Sequence, residues 1–505
     1  MTALRMHQPP KQLRPRHAST QWSRAYGVTA LNALIFLVAS ALIYFSGGTD
    51  TNIDLIPAIA FFIGAIVSFG LLVRSGGELA AISFFVLGAG IFFGFGTIYS
   101  VLSDNVAGSF LFARNIQIET LPAINLINAA SVCIVLFTAW PLCRQGPKKG
   151  NRVARMKEAL SLLNPLRIPL LLLAVPLVLL QIYTFPQSTN LVLRTILSNI
   201  ENLTLLAILL CSMQWTRLGA VQRGAVILLV AALATLGFLS LSKTGTLVPL
   251  MAFSVGLLVD ARSRKTFVVL FVATTVAYFS FIADTCNDAR NHPAFSPTDN
   301  TIAERVRIIT DTLNSPAQDT GDKFGSSVQL LQRFGAAPVQ AFLIRQHDNG
   351  APGDSMADAW QALIPRILWP EKPNITRFGA QLDILFYSRT TGQSQLAPTY
   401  TAEAYWNSGW FGVLLVSILI GFELGWFTEK WHRFTRGDSK QSGIIAFSIP
   451  VSLFALWVEA WVVATYVGGF MTLLILVKLA DITVPLLRAQ RMVILHSTVS
   501  WTRTR

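Results

Sequence analysis

The sequence predicts an all-α polytopic membrane protein with about twelve transmembrane helices and a large external helical cap loop, on the strength of three observations. Of 505 residues, 52% are hydrophobic and only 13% charged, with mean hydropathy +0.52. A soluble chain carries roughly a quarter charged residues, so too few polar groups are present to cover a water-exposed surface. Apolar runs of about 20 residues, the length of a bilayer-spanning helix, recur along the chain. Lys and Arg gather in alternate loops between those runs, the pattern that keeps basic loops cytoplasmic. The same placement excludes a nucleic-acid partner, which the net charge of +14 would otherwise suit.

Residues 1–26 form a basic tail holding Arg5, Lys11, Arg14, Arg16 and Arg24 and no acid before the first apolar run. With no small-residue cleavage site behind it, this is a cytoplasmic tail before a retained helix. Spans one to nine occupy 27–283, with apolar windows at 27–46, 53–73, 79–101, 121–142, 166–183, 196–214, 224–242, 244–260 and 266–283. The loop 143–165 carries six basic residues and 261–265 carries Arg262, Arg264 and Lys265, whereas 47–52 and 184–195 hold only Arg194 between them. Merging 224–260 into one helix would put 261–265 on the wrong side, so a hairpin is predicted at Lys243 and Thr244.

Residues 284–402 form the external loop, with ten Lys/Arg and twelve Asp/Glu. Helical patterns at 301–313, 326–346 and 354–364, punctuated by Pro352, Pro365, Pro370 and Pro373, predict a compact periplasmic cap. Spans ten to twelve follow within 403–487, in windows 409–427, 443–461 and 464–487, and 488–505 is a second cytoplasmic tail. Four cysteines, three of them in or beside apolar runs, predict no disulfide framework.

Three stretches carry a family resemblance. Leu363-Ile-Pro-Arg-Ile-Leu-Trp-Pro-Glu-Lys-Pro373, Thr401-Ala-Glu-Ala-Tyr-Trp-Asn-Ser-Gly-Trp-Phe-Gly412 and Ser240-Leu-Ser-Lys-Thr-Gly245 resemble segments of bacterial O-antigen and exopolysaccharide repeat-unit polymerases of the Wzy type. The resemblance implies a GT-C-like glycosyltransferase of the bacterial inner membrane, with both termini cytoplasmic. It would join undecaprenyl-diphosphate-linked repeat units at the periplasmic face, and its partners would be these lipid-linked glycans, a flippase and a chain-length regulator. The acceptor hydroxyl attacks the anomeric carbon and the lipid diphosphate leaves. Such chemistry needs fixed cations at the diphosphate and a base near the hydroxyl.

Each candidate residue has a structural reading beside the functional one. Lys243 is either a snorkelling lysine or a diphosphate contact. Arg366 and Lys372, flanking Trp369-Pro370, meet either lipid headgroups or the donor diphosphate, with Arg377 and Arg290 as further cations. Glu403, just before the tenth span, is an N-cap-region acid favoured by the helix dipole, or the general base or an orienting group for the acceptor sugar. Tyr405 and Asn407 are interfacial belt residues or sugar contacts. Glu459, near the external end of the eleventh window, is either a structural acid paired with a base such as Lys243 or Arg366, because an unpaired acid there costs roughly 2.5–3.5 kcal/mol, or a residue of the substrate site. Arg194, Arg305 and Arg307 read as solvated charges. No Walker loop, dinucleotide fingerprint, Asp-x-Asp motif or Cys/His cluster appears, so neither cofactor nor metal is predicted. The competing functions are an O-antigen ligase, a transporter or flippase, and a non-catalytic scaffold. Transporters of this size show internal repeats, and none is evident.

Overall fold

The computed structural model describes residues 17–47, 51–77, 79–107, 120–147, 171–180, 207–259, 281–290, 292–295, 300–314, 335–357, 359–362, 377–387, 397–438 and 462–469, with scattered residues near 168, 204, 266–277, 364, 369, 455–458 and 473–482. The elements described are helices. Six are long and apolar enough to cross a membrane: Thr20–Phe45, Ile53–Gly77, Ala81–Leu102, Leu121–Cys143, Ala220–Leu239 and Tyr400–Arg436. Shorter apolar helices lie at Leu171–Leu180, Gly245–Ser254 and Thr465–Leu479. The chain is a helical membrane protein.

Helices α1 (His17–Phe45) and α2 (Thr51–Leu72) form one flank, joined by stacking of Phe36 on Phe61 at 4.3 Å. Leu31, Leu34, Ile35, Val38 and Leu42 of α1 point outward, as side chains bathed in lipid do. Next come α3 (Ala81–Ala89), a π-helical stretch Gly90–Phe95 and α4 (Gly96–Ala107). The sequence reads 79–101 as one span, and the wider π turn interrupts it where Gly90 and Gly94 pack closely on Ala65 and Phe62 of α2. α1 begins ten residues ahead of the apolar window predicted at 27, because Trp22, Ala25 and Tyr26 are buried and hold the polar approach to the helix in place.

The centre is α5 (Leu121–Cys143) packed along the last long helix, Tyr400–Arg436, in the most extensive helix pair of the structure. Gly421 and Gly425 of that helix, four apart, lie where a Cβ would come within 2.6 Å of the Val135 carbonyl and 2.9 Å of Ala139 Cα. Small residues at this spacing let membrane helices approach backbone to backbone. Ser131 of α5 completes the seam, its Oγ 2.8 Å from the Tyr400 hydroxyl and 2.6 Å from Ser417 Oγ.

One end of the bundle carries Arg144, Arg433 and Arg436 and is tied together across helices. Trp22 Nε1 donates to the Cys143 carbonyl at 3.0 Å, and the Tyr26 hydroxyl to the Leu136 carbonyl at 2.6 Å. Trp431 Nε1 donates to the Gly76 carbonyl at 3.2 Å, and Arg436 reaches the Gln145 and Gly146 carbonyls as well as Glu429.

The opposite end carries described helices of the segment 284–402, called the cap segment below. Helices α6 (Ala220–Leu239) and α7 (Lys243–Val259) are separate, as the loop charges predict. Their turn is a Schellman closure, in which Ser242 N–H donates to the Gly237 carbonyl at 2.9 Å and Leu241 N–H to the Phe238 carbonyl at 2.8 Å. Leu241 occupies the left-handed position (φ 52), and its buried side chain packs with Ala289, Ile308 and Ile309. The cap segment contributes α8 (Ala283–Arg290), α9 (Ile302–Asn314), α10 (Ala337–Asp348), α11 (Ala359–Ala362) and α12 (Arg377–Tyr387). The pattern at 301–313 corresponds to α9 and that at 326–346 overlaps α10, its 326–334 stretch lying outside the described residues, whereas of 354–364 only Ala359–Ala362 is helical and 355–357 form a turn. A capping box starts α9: Thr301 N–H donates to Glu304 Oε2 at 2.7 Å and Glu304 N–H to Thr301 Oγ1 at 3.3 Å. α10 lies against α5 and the long helix, hereafter α13.

α13 (Tyr400–Arg436) begins nine residues before the window predicted at 409. Thr399 caps it, its Oγ1 accepting from Ala402 N–H at 3.2 Å. At Ser408 (φ −151, ψ 22) and Gly409 (φ 58, ψ −143) the dihedrals leave the helical region and the helix kinks. Described residues between 458 and 482 meet α13 at three places, where Tyr400 N–H donates to the Val458 carbonyl at 3.2 Å, Val462 N–H to Glu403, and Lys430 pairs with Asp481 at 3.3 Å.

Candidate functional site

The first two turns of α13, ahead of the kink, form the junction between cap and bundle. Glu403 is fully buried there. Its Oε1 accepts from the Ser355 hydroxyl at 2.7 Å and its Oε2 from Val462 N–H at 2.5 Å. One carboxylate thus links a cap loop, a membrane helix and the start of the π-helix Val463–Gly469. π-Helical turns recur at functional sites, where they turn side chains out of the regular register.

Asn407, one turn further on, sits beside the same loop. Its Nδ2 donates to Ser355 Oγ at 2.9 Å and to the Glu403 carbonyl at 2.8 Å, while its Oδ1 accepts from Met356 N–H at 3.0 Å. Trp406 packs on Gly353, where a Cβ would lie 2.4 Å from the indole, and its Nε1 donates to the Ala351 carbonyl at 3.2 Å. The Tyr405 hydroxyl donates to Asp348 Oδ1 at 3.1 Å. Residues 403–407 therefore present successive polar groups to the loop after α10, and each finds a partner.

A second polar layer lies beneath. Gln340 of α10 is buried and exchanges hydrogen bonds with Asn128 of α5, at 2.8 Å and 3.2 Å. The Thr401 hydroxyl donates to Asn128 Oδ1 at 2.7 Å. This layer fixes α10, α5 and α13 relative to one another, because each side chain is satisfied only while the other two helices stay in place.

Of the predicted site residues, Glu403, Tyr405 and Asn407 are brought together, on one helix and around one loop. Arg290 is engaged at the hairpin, where its Nη2 donates to the Leu241 carbonyl. Lys243 and Arg377 are the first residues of α7 and α12, with side chains outside the described residues. Arg366, Lys372 and Glu459 also lie outside the described residues. No family model, curated protein or solved structure matches the chain.

One arginine differs from its sequence reading. Arg305, read as a solvated charge, is only 4% exposed. Its Nη1 donates to the Leu239 carbonyl at 3.4 Å, its Nε to the Asn300 carbonyl at 3.3 Å, and its guanidinium lies 5.4 Å from the Phe295 ring centre. Burial pulls its pKa down, although a guanidinium remains charged at neutral pH. Arg305 and Arg290 both meet carbonyls at the C-terminal end of α6, where a helix dipole favours cations. The capping hydrogen bonds hold the exposed Glu304 carboxyl below the usual carboxylate range.

Sequence reasoning missed Ser355, the Val462 N–H, His347 and the Asn128–Gln340 pair. Asn125 and Asn128 interrupt an otherwise apolar span at adjacent positions on one helix face, and such polar residues inside a membrane helix mark buried contacts. For Val462 no signal exists, because the contact is made by backbone.

The chemistry open to the junction follows from its parts. A carboxylate bonded to a serine hydroxyl is arranged to receive a proton, directly or through that hydroxyl. Neither Glu403 nor Ser355 is open to solvent in this arrangement, each being 2% exposed or less. Access requires the loop 351–357 to lift from residues 403–407.

Proposed function

We propose that the protein is a polyprenyl-diphosphate-dependent glycosyltransferase that polymerises lipid-linked oligosaccharide repeat units at the extracytoplasmic face of a bacterial inner membrane. The observation that carries this reading is the buried Glu403 at the convergence of cap loop, kinked helix and π-helix, within the Thr401–Gly412 stretch that resembles the polymerase family. In this reading Glu403 takes the proton of the attacking acceptor hydroxyl once the loop carrying Ser355 moves aside. Tyr405 and Asn407 then become free to bond the acceptor sugar. Arg366, Lys372, Lys243 and Arg377 are the cations this reading assigns to the charge of the departing diphosphate, which Arg binds through paired hydrogen bonds. The diphosphate-linked donor supplies the driving force.

Surface glycan of a deletion strain tests the assignment. The proposal expects single repeat units with no polymer. Loss of all surface glycan indicates a ligase, and repeat units trapped inside the cell indicate a flippase; either result overturns it.

A further inference from the structure

Trp360 of α11 and Trp369 stack, with ring centres 5.9 Å apart and planes 23° from parallel. Trp369 lies against one face of Trp360, yet Trp360 is 56% exposed, so much of its indole is open to solvent. The pair stands close to Glu403 along the chain. Ser355 bonds that carboxylate, a tight turn follows in which Ala359 N–H donates to the Met356 carbonyl at 3.1 Å, and Trp360 comes next. Five residues span at most about 18 Å. α11 also packs on the π-helix Val463–Gly469, which begins one residue after the Val462 N–H that meets the same carboxylate. The stacking thus brings Trp369, of the Leu363–Pro373 stretch, to the loop that holds Glu403, of the Thr401–Gly412 stretch.

The surroundings decide what an open indole can meet here. Between 335 and 362, Trp360 is the only large exposed hydrophobic side chain among the described residues. The exposed residues of the loop before it include Asn349, Gly350, Pro352 and Asp354. Residues 348–362 hold three Asp and no Lys or Arg. A tryptophan that anchors a protein at a membrane surface has apolar neighbours on its lipid side and cations toward the headgroups. The segment that carries Trp360 supplies neither. A sugar ring suits it better. Its C–H faces are apolar and fit the negative face of an indole, while its rim of hydroxyls can stay in water or donate to aspartates.

We propose that the Trp360–Trp369 pair is a stacking subsite for a sugar ring of a glycan. The subsite deepens the glycosyltransferase reading and rests on it for the identity of that glycan as the lipid-linked repeat unit. Its role is to hold the glycan beside the junction while Glu403 serves the reacting hydroxyl.

Saturation-transfer NMR of the purified full-length protein tests this, with oligosaccharides from partial acid hydrolysis of the source strain's surface polysaccharide as probes. The parent should bind them, Trp360→Ala should bind about tenfold more weakly, and Trp360→Phe, which keeps an aromatic face, should lose less. No binding by the parent, or equal binding by parent and Trp360→Ala, would overturn the proposal. Tryptophan fluorescence in nanodiscs of acyl-brominated lipid supplies the second arm. Quenching by bromine should remove the same emission from the parent and from Trp360→Phe; a larger quenched emission in the parent would place Trp360 at the lipid and overturn the subsite. The parent's binding and the quenching comparison both survive a failure of Trp360→Ala to fold. Glycan binding needs no turnover, so it is read apart from polymer formation: binding weakened in Trp360→Ala beside a parent that makes no polymer would fault the enzyme reading and support the subsite.

Discussion

His347 Nδ1 lies 3.1 Å from the Trp406 carbonyl, immediately before the point where α13 kinks. That carbonyl also accepts from Gly353 N–H at 3.0 Å. A carbonyl cannot donate, so Nδ1 carries the proton. The ring packs edge-on against Tyr405 at 5.1 Å, and its Nε2 would come within 2.9 Å of a Cβ placed on Gly409. The kink is therefore held from outside by one imidazole, and only glycine fits at its apex.

Gly409→Ala should be costly for two reasons. The residue has φ 58, ψ −143, which L side chains rarely adopt, and the new methyl group would press on His347. Together these should destabilise the protein by about 2–3 kcal/mol. Thermal unfolding in detergent checks this, and an unchanged midpoint would show that the kink is not required.

Glu403→Gln and Glu403→Ala should separate chemistry from architecture. Gln keeps an acceptor for Val462 N–H, but toward Ser355 it presents an amide that can only donate to Oγ and leaves the serine proton without its acceptor, so this variant should insert and lose less stability than Ala. Ala leaves the Ser355 hydroxyl and the Val462 N–H buried without their acceptor and should cost about 2–4 kcal/mol. Both should abolish polymer. Normal polymer from Glu403→Gln would remove Glu403 from the proposed chemistry.

The six long apolar helices among the described residues were legible in the sequence, because apolar length and loop charge act at each segment separately; most of the windows 266–283 and 443–461 lies outside the described residues. The split between α6 and α7 followed from charge alone. The start of α13 was not legible: residues 400–408 mix polar, small and aromatic side chains, and their helix depends on Thr399 capping and on partners in the cap. At the site, Glu403, Tyr405 and Asn407 were singled out by the resemblance of the Thr401–Gly412 stretch to the polymerase family, and the structure gathers them around one loop. Ser355 and Val462 were not, since they reach Glu403 from 48 and 59 residues away through tertiary packing. Arg305 was misread although a signal existed. Ile308 and Ile309, three and four residues on, lie on the same helix face and mark it as buried.

Arg305→Met should loosen the α6–α7 turn. It removes charged donors from the Leu239 and Asn300 carbonyls, and the loss should be about 2 kcal/mol. Arg305→Lys should recover only part of it, because an ammonium lacks the forked geometry. Hydrogen exchange at residues 237–242 reads the effect directly, and full recovery by lysine would contradict the assigned role.

The Glu304 capping box should give α9 an acid-sensitive start. Its folded pKa is lowered, so its contribution is present above the unfolded value and lost as pH falls through the folded one. Exchange at the first turn of α9 should accelerate in that acid range in the parent and show no such step in Glu304→Gln. A parent without the step would exclude the capping role.

The central claim is that the cap end, around Glu403, joins lipid-linked repeat units. The most direct measurement reconstitutes the purified protein with undecaprenyl-diphosphate-linked repeat unit alone and follows product length. The account predicts a ladder of longer lipid-linked glycans from the parent and only the single unit from Glu403→Gln. No ladder from the folded parent, or the same ladder from both proteins, would contradict it.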